Sequence, residues 1–361
     1  MAHTEHTRNE ISQLDARAKR KFSFLLALLI VGAILSLFLA SLFGRLDISV
    51  ADVGKSILAG LGFNLDPGLD ATSVVVVFNI RLSRICLSML VGMALAVAGT
   101  VFQGILRNPL ADPFTLGVST GAAFGASLAL FLGVGSKTFL GFGLLPLGAL
   151  AGALAALFAV ITLGRINGQL RRDTMILAGI VIATFLSALI SLIKSLNEES
   201  VASIVFWVMG SFQGRGWNHV AFVLPYMIAG LVIIWFYSRE LDILAMGDTQ
   251  ARQLGVHSDR IRLRLMIGAS LLTAGAVSVS GVIGFIGLVM PHLIRMTVGA
   301  EHRRLLILSA LLGGLALLWS DVLARILLPG GEELPVGVVT ALMGGPFFCF
   351  LLKRRKVGTG L

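Results

Sequence analysis

Three arginines beside long apolar stretches carry the clearest potential for chemistry in this sequence. Arg81 and Arg84 precede one such stretch, and Arg325 ends another. Grouped arginines attract an acidic protein or an anionic substrate, because a guanidinium binds carboxylate and phosphate through paired hydrogen bonds. The alternative is that each alkyl stem lies along apolar surface while the guanidinium reaches water. Asp321 lies four residues before Arg325, and this spacing predicts a local ion pair on one helix face.

Other reactive groups do not form a recognisable site. Segment 133–138, GVGSKT, resembles part of a phosphate-binding loop, but Ser136 stands where a glycine must precede the lysine. His292 has the chemistry of a proton carrier, although a packed histidine at a helix break is the simpler interpretation. Cys86 and Cys349 are far apart and lie in apolar runs, without metal or redox spacing. We therefore predict no catalytic residue, no metal site and no cofactor.

The elements that must hold these residues are long apolar helices. Of the 361 residues, 56% are hydrophobic and only 13% are charged, whereas ordinary soluble domains carry about 25% charged residues. So little charge argues against a soluble enzyme, a disordered chain and a disulfide-stapled secreted protein. The net charge of +10 is typical of basic loops that face the cytoplasm, so we predict no nucleic-acid partner.

Ten apolar runs predict an all-α polytopic protein with ten transmembrane helices. Gly281, Gly284 and Gly287 mark a break that separates the seventh run from the eighth. The chain then divides into a tail at 1–21, a transmembrane domain at 22–352 that contains a long loop at 239–264, and a tail at 353–361. The runs lie at about 22–43, 85–106, 114–132, 139–163, 174–193, 220–238, 264–282, 283–299, 304–324 and 335–352.

The distribution of lysine and arginine predicts how these helices cross the membrane. With ten spans and the N-terminus inside, 21 of the 29 Lys and Arg residues fall on the cytoplasmic side. Positive charge collects in short cytoplasmic loops, so this division predicts that both termini are cytoplasmic.

An internal repeat links the two halves of the chain. GMALAVAG at 92–99 and GASLLTAG at 268–275 both read G-x-x-L-x-x-A-G, and LAGIVIA at 177–183 echoes PVGVVTA at 335–341. Helices 2–5 thus resemble helices 7–10, and five spans between equivalents make the repeat an inverted one. Inverted repeats are typical of transporters. The alternative is chance similarity between apolar sequences.

The loop at 239–264 is too rich in apolar residues for a simple linker. Leu241 and Leu244 interrupt polar sequence, and Gly247 and Gly255 divide it into two short predicted helices. Short helices that mix apolar and charged residues form a docking surface for another protein. The alternative is a solvated basic loop.

Several ordered motifs together resemble the permease subunits of ATP-binding-cassette (ABC) importers for iron complexes and vitamin B12. The resemblance covers residues from about 75 to the C-terminus. It rests on RLSR (81–84), GILRNPLADPFTLGVSTGA (104–122), WVMGSF (207–212), ARQLGV (251–256), GFIGLVMPHLIR (284–295), DVLAR (321–325) and ELPVGVVTALMGGPFF (333–348).

This resemblance implies roles for matching positions. Arg81, Arg84 and Arg325 resemble the outer arginines that meet glutamates on a substrate-binding protein. The segment ARQLGV resembles the coupling helices that sit in a cleft of the ATPase, and helices 5 and 10 would line the path. The turn before helix 5 departs from the small, hydroxyl-rich turn of some members. The implied coupling residues are Ala251, Arg252, Leu254, Gly255 and Val256, and those of a cytoplasmic gate are Asn108, Asp173 and Thr174.

The resulting prediction is a permease of the bacterial inner membrane with no enzymatic activity of its own. Its partners would be two ATPase subunits, a periplasmic or lipid-anchored substrate-binding protein, a second copy of itself and the lipid bilayer. Its cargo would be an iron complex (ferric siderophore or haem) or cobalamin, moved by alternating access. The alternative is a standalone ion-coupled secondary transporter, which normally needs carboxylates inside the membrane. A membrane-embedded enzyme is a third possibility, but the clustered nucleophile, base or metal ligands that it requires are not found.

Overall fold

The computed structural model describes residues 2–44, 46–63, 69–135, 137–139, 142–166, 168–328 and 331–358, with side chains from 18 to 350 and at 353 within those ranges. The described chain is helical apart from loops and two short hairpins. Its helices are α1 (Ala2–Leu42), α2 (Val50–Gly60), α3 (Ala71–Leu106), α4 (Val118–Phe131), α5 (Leu144–Leu163), α6 (Arg172–Leu196), α7 (Glu198–Met209), α8 (Trp217–Phe236), α9 (Ser238–Met246), α10 (Asp248–Gln253), α11 (Ser258–Ser280), α12 (Ile286–Val298), α13 (His302–Ile326) and α14 (Val336–Gly358).

The all-α prediction is confirmed. Within the described ranges, seven helices are long and apolar enough to cross a membrane: α1, α3, α5, α6, α8, α11 and α13. The shorter apolar helices α4, α12 and α14 coincide with the remaining three predicted runs. The exact number of spans stays a prediction. Two antiparallel hairpins lie in connecting loops, β1–β2 (Thr138–Phe139 with Phe142–Gly143) and β3–β4 (Arg165–Ile166 with Gln169–Leu170).

Several predicted runs begin some residues away from the start of their helices, and two of these differences have a clear local cause. The second begins near residue 71 because a π-helical turn at Val75–Leu82 continues the helix before residue 85. The third begins at Val118, because Pro109 and Pro113 keep 107–117 out of helical geometry and Gly117 opens the helix with a positive φ. The helices α2 and α7 were not predicted; each is short, and α7 follows α6 after the single residue Asn197.

The predicted break within 264–299 is confirmed. Helix α11 ends at Ser280, Gly281 has a φ of 70°, and α12 begins at Ile286. Phe285, just before α12, also has a positive φ of 68°. This is a sparsely populated conformation for a bulky residue, so the turn is held by its surroundings, among them Gly344 of α14 against the Phe285 ring.

Glycine contacts hold the centre of the bundle together. A methyl group at Gly92 would overlap the carbonyl of Gly313 on α13, and one at Gly99 would overlap the carbonyl of Gly287 on α12. In the second copy of the repeated motif, Gly268 of α11 meets α8. Small residues let helix backbones approach closely, which is the main source of helix association inside a bilayer.

The central helix of each half of the chain packs on helices of the other half. Helix α3 packs on α12 and α13 of the second half, while α11 packs on α4 and α5 of the first, and α3 and α11 also contact each other. Both central helices are largely buried. The two central helices therefore join the halves of the chain, and the inverted repeat itself stays a prediction.

Gly99 gives a test of this packing. Gly99→Ala should lower the free energy of unfolding by about 1–3 kcal/mol, because an added methyl group overpacks the contact with α12. Thermal unfolding of the purified protein in lipid nanodiscs measures the effect. Gly32→Ala is the matched control, since a Cβ at Gly32 of α1 would lie 3.7 Å from Leu315, an ordinary contact. Equal unfolding temperatures for both variants would contradict the assignment.

Candidate functional sites at the two ends of the bundle

One end of the bundle, here named the arginine end, holds Arg84 in a buried ion-pair cluster. The Arg84 Nε and Nη2 atoms donate to the Asp321 carboxylate at 3.0 and 2.8 Å, and Nη1 donates to Glu333 Oε2 at 2.8 Å. Asp321 is almost fully buried and Arg84 nearly so. Arg84 of α3 therefore binds both α13 and the segment that leads into α14.

Arg325 belongs to the same cluster but is less completely bonded. Its Nε lies 3.4 Å from Asp321 Oδ2, which confirms the predicted i,i+4 pair. Two arginines therefore share one carboxylate. The Arg325 Nη2 atom is buried and has no hydrogen-bond partner among the described residues, so it is an unsatisfied donor inside this cluster.

Arg81 is tied to the end of α1. Its Nη1 donates to the carbonyl of Ser41 at 2.9 Å and its Nη2 to the carbonyl of Leu46. The last carbonyls of a helix have no partner within the helix, and the buried Arg81 side chain satisfies one of them here. The structure thus brings all three predicted arginines to one end of the bundle, with their side chains held by the chain itself.

Arg81 lies within a π-helical turn at Val75–Leu82. Such a turn leaves carbonyls mismatched with the helical ladder, and two are satisfied by side chains. Trp217 Nε1 donates to the Phe78 carbonyl at 3.1 Å, and Ser83 Oγ donates to the Asn79 carbonyl. Turns of this kind are frequent at functional sites. Sequence reasoning missed it, because no residue type marks a π turn.

The opposite end, here named the loop end, holds two short helices within the loop at 239–264. Gly247, with a φ of 136°, separates α9 from α10, and Gly255, with a φ of 76°, follows α10. The predicted pair of short helices is therefore confirmed. Ala251 is fully buried, whereas Arg252, Leu254 and Gly255 are exposed and Val256 is half-buried. The Leu254 side chain is 61% exposed, so this end presents an apolar residue among charges.

These short helices are attached to the ends of α3 and α13. Gly104, near the end of α3, lies against both Leu241 of α9 and the His302 ring. His302, the first residue of α13, makes a 2.6 Å contact from Nδ1 to Asp242 of α9. The Arg107 guanidinium lies beside Gly247. Helix α9 is therefore in direct contact with the end of α3 and the start of α13, and α10 follows it after Gly247.

The predicted gate residues lie on two segments that pack together at the loop end. Asn108 Oδ1 accepts the N–H of Leu110 at 2.9 Å, which shapes the 107–117 loop. This loop packs on α6, where Gly179 leaves room for the Thr115 carbonyl. Asp173 is exposed and Thr174 half-buried in the first turn of α6.

Asp112 was not predicted but organises the same loop. Its Oδ1 accepts the N–H groups of Phe114 and Thr115, both at 3.0 Å. Burial raises the pKa of the Asp112 carboxyl to about 6, while these hydrogen bonds oppose the shift. The signal in the sequence was an aspartate before a proline and three residues before a threonine, a pattern that opens turns.

Several helices present bare apolar faces on this single chain, and α6 and α14, the two that were predicted to line the path, are among them. Helix α6 is mostly unburied, and α14 exposes large side chains near its middle. The exposed residues include Leu177, Ile180, Val181, Phe185 and Leu192 on α6 and Leu342, Met343 and Phe350 on α14. No group of three or more potential metal-binding side chains occurs among the described residues.

Comparison with known proteins assigns a relationship along almost the whole chain. Residues 27–354 match the family model of the FecCD transport family. The chain is 41% identical over 290 residues to the cobalamin import system permease protein BtuC of Halobacterium salinarum, covering 80% of this chain and 76% of that protein. It is 42% identical over 284 residues to the hemin transport system permease protein HmuU of Yersinia pestis, covering 77% and 83%. A solved ABC transporter described as of the metal-chelate type, in an inward-facing conformation, gives a TM-score of 0.78 at 32% identity, covering 92% and 99%.

The raised pKa of Asp112 predicts a pH-dependent stability. The folded carboxyl binds its proton more tightly than the unfolded one, so stability should fall as pH rises from about 4 to about 6. Asp112→Asn keeps an oxygen acceptor but does not titrate, so its unfolding temperature should change less over this range. Thermal unfolding in nanodiscs from pH 4 to pH 8 measures both. Asp112→Ala, which loses the acceptor, should be less stable at every pH, and identical pH profiles for the parent and Asn proteins would contradict the prediction.

Proposed function

The chain belongs to the FecCD transport family, and we propose that this ABC transporter permease imports an iron complex or cobalamin as one half of a homodimer. The observation that supports the proposal best is the pair α9–α10, which presents exposed Arg252 and Leu254 while being attached to α3 and α13. This is the surface that an ATPase partner requires. In this proposal the loop end and both termini are cytoplasmic, and the arginine end faces the outside.

A standalone ion-coupled transporter is less well supported. Such proteins use intramembrane carboxylates as proton or ion ligands. Asp321, the acidic residue that the sequence places within a helix, is engaged by Arg84 and by Arg325. Its oxygens are therefore engaged by side chains of the chain itself and are not open to a transported ion.

The bare faces of α6 and α14 support the homodimer. An apolar helix face on one chain is covered either by lipid or by a second copy, and two copies would enclose a path between these helices. A path lined by apolar and small residues suits a bulky cargo that slides past without tight binding. Relatives named for cobalamin and for hemin fit cargo of that size, and the ligand retained by the partner binding protein will identify the cargo of this chain.

Coupling is proposed to run through residues 251–256. Ala251 anchors α10 in the bundle, while Arg252, Leu254, Gly255 and Val256 form its outward side and the turn after it. ATP-driven closure of the ATPase subunits would push on this side. Because a ligand shifts an equilibrium only by its differential affinity for the two states, ATP binding must favour one arrangement of the dimer.

If residues 251–256 couple the chain to its ATPase, a variant in this segment should lose transport and still insert into the membrane. Leu254→Asp should abolish uptake in proteoliposomes while the protein reaches the membrane normally, since a charge removes the apolar contact with the ATPase. The matched control is Met246→Asp, because Met246 at the end of α9 is an apolar residue with the same exposed fraction, 61%. This control should retain most of the uptake. Substrate-stimulated ATP hydrolysis and uptake unchanged in Leu254→Asp would contradict the role.

The proposed gate supplies the conformational readout for the same experiment. Cysteines at Asn108 or Asp173 should cross-link between the two copies in at least one nucleotide state, and Leu254→Asp should remove the dependence on nucleotide. Cysteines at Thr174, half-buried on α6, provide a neighbouring position for comparison. Cross-links that form at other axis positions but at none of these would exclude them from the gate.

Docking of the binding protein is proposed to use Arg81, Arg84 and Arg325. Arg325 is the best-supported of the three, because its buried Nη2 lacks an acceptor among the described residues. Arg84 is saturated by Asp321 and Glu333, so an incoming glutamate would have to displace one of them. Arg81 also caps α1, so its replacement affects stability as well as docking.

Charge reversal tests docking. Arg325→Glu and Arg84→Glu should weaken binding-protein affinity, more at low salt than at high salt, because screening shortens the field. Reversal of the matching carboxylate on the binding protein should restore part of the loss. Lys137→Glu, exposed beside β1 at the proposed outer side, is the control and should have little effect. Losses that follow membrane abundance alone, without rescue, would refute the docking role.

A further inference from the structure

A buried arginine joins two segments of the loop end that are distant in sequence. Arg262, in the second turn of α11, is 3% exposed. Its Nη2 donates to Asp248 Oδ1 at 2.5 Å, and its Nη1 donates to the carbonyl of Leu170 at 2.5 Å. Asp259, three residues earlier on α11, accepts the Leu170 N–H at 3.1 Å. Both backbone polar groups of Leu170 are therefore held by α11.

The two hydrogen-bond partners of Arg262 lie at functionally different places, and Asp259 forms a longer ion pair with it at 3.6 Å. Asp248 is the first residue of α10, whose outward side is the proposed contact with the ATPase. Leu170 is buried, ends β4, and stands two residues before α6 begins at Arg172. The proposed gate residues Asp173 and Thr174 follow at once. One guanidinium thus joins the first residue of the proposed coupling helix to the strand residue that lies two positions before α6.

We infer that Arg262 is a positioning residue that transmits a displacement of α10 to the inner end of α6. This inference rests on the proposed function. The guanidinium is planar and its donors are fixed relative to one another, so a shift of Asp248 changes the position of the Leu170 carbonyl. The bond to the Leu170 carbonyl is buried, where hydrogen bonds from a charged donor are strong, whereas the Asp248 side chain is 43% exposed at the other end of the same guanidinium.

A lysine at position 262 retains the positive charge but lacks the planar group with hydrogen-bond donors in fixed relative positions. Its single ammonium presents a compact point charge on a flexible stem, so it binds Asp248 or the Leu170 carbonyl without fixing their relative geometry. Arg262→Lys is therefore the variant that separates transmission from charge. Arg260, exposed and two residues earlier on the same helix, is the matched control as Arg260→Lys.

The experiment uses the permease assembled with its ATPase and binding protein in proteoliposomes. Arg262→Lys should still bind the ATPase and hydrolyse ATP at a near-normal rate, while uptake falls about tenfold, as expected for loss of one charge-assisted hydrogen bond. The nucleotide dependence of cross-linking at Asp173 should be lost as well. Arg260→Lys should behave as the parent chain.

The results separate three cases. Uptake and nucleotide-dependent cross-linking equal to those of Arg260→Lys would overturn the positioning role. A loss of uptake that follows only a lowered unfolding temperature, with ATP hydrolysis falling in proportion, would assign Arg262 to folding alone and also overturn it. Failure of the parent chain itself to bind the ATPase would overturn the proposed function, and this role with it.

Discussion

Close approach of helix backbones is the constraint on which the rest of this bundle depends. Lipid tails are as apolar as the helix surfaces, so burial alone gives little preference for contact between helices. The chain places glycine at the crossing points, with Gly92 against Gly313 and Gly99 against Gly287. Dispersion between backbones then fixes α3 at the centre. The position of α3 in turn places its two ends. One end holds Arg84 of the arginine cluster, and the other end contacts α9.

Electrostatics organises the ends of the bundle as packing organises its middle. An uncompensated buried charge is strongly destabilising, so a buried guanidinium must find acceptors. Arg84 finds Asp321 and Glu333, and Arg262 finds Asp248 and a backbone carbonyl. Each pairing also fixes one segment to another. The two buried arginines, whose burial without acceptors would destabilise the fold, therefore join connecting segments to the helices.

The sequence predicts local features of this protein better than long-range ones. The apolar runs, the break at Gly281 and the Asp321–Arg325 pair depend on neighbouring residues, and all three are found. The bonds from Arg84 to Glu333 and from Arg262 to Leu170 join residues that are far apart in the chain, and no spacing rule connects them. The capping of α1 by Arg81 was not predicted for a related reason. Every residue has a backbone carbonyl, so the sequence does not mark the one that accepts this hydrogen bond.

The family relationship was predictable because ordered motifs extend over most of the chain. The roles of individual site residues are a different matter. Asn108 has a local explanation in the turn that it forms with Leu110, and its place in a gate stays a proposal. For Leu254 the sequence indicated a mixed surface, and its exposure is the structural fact that supports a partner there.

The orientation of the elements before α3 depends on the number of residues in the π-helical turn at Val75–Leu82. Its i→i+5 bonds accommodate one residue more than the α-helical ladder would. Each residue of an α-helix advances by about 100° around the axis. A deletion of one residue here would restore a regular helix, and it would swing everything on the far side of the turn through roughly that angle. Inserting or deleting one residue in this segment would therefore rotate the elements before it about the axis of α3. The rotation would change the direction in which α2 and the end of α1 face, while the membrane-spanning part of the bundle stays unchanged.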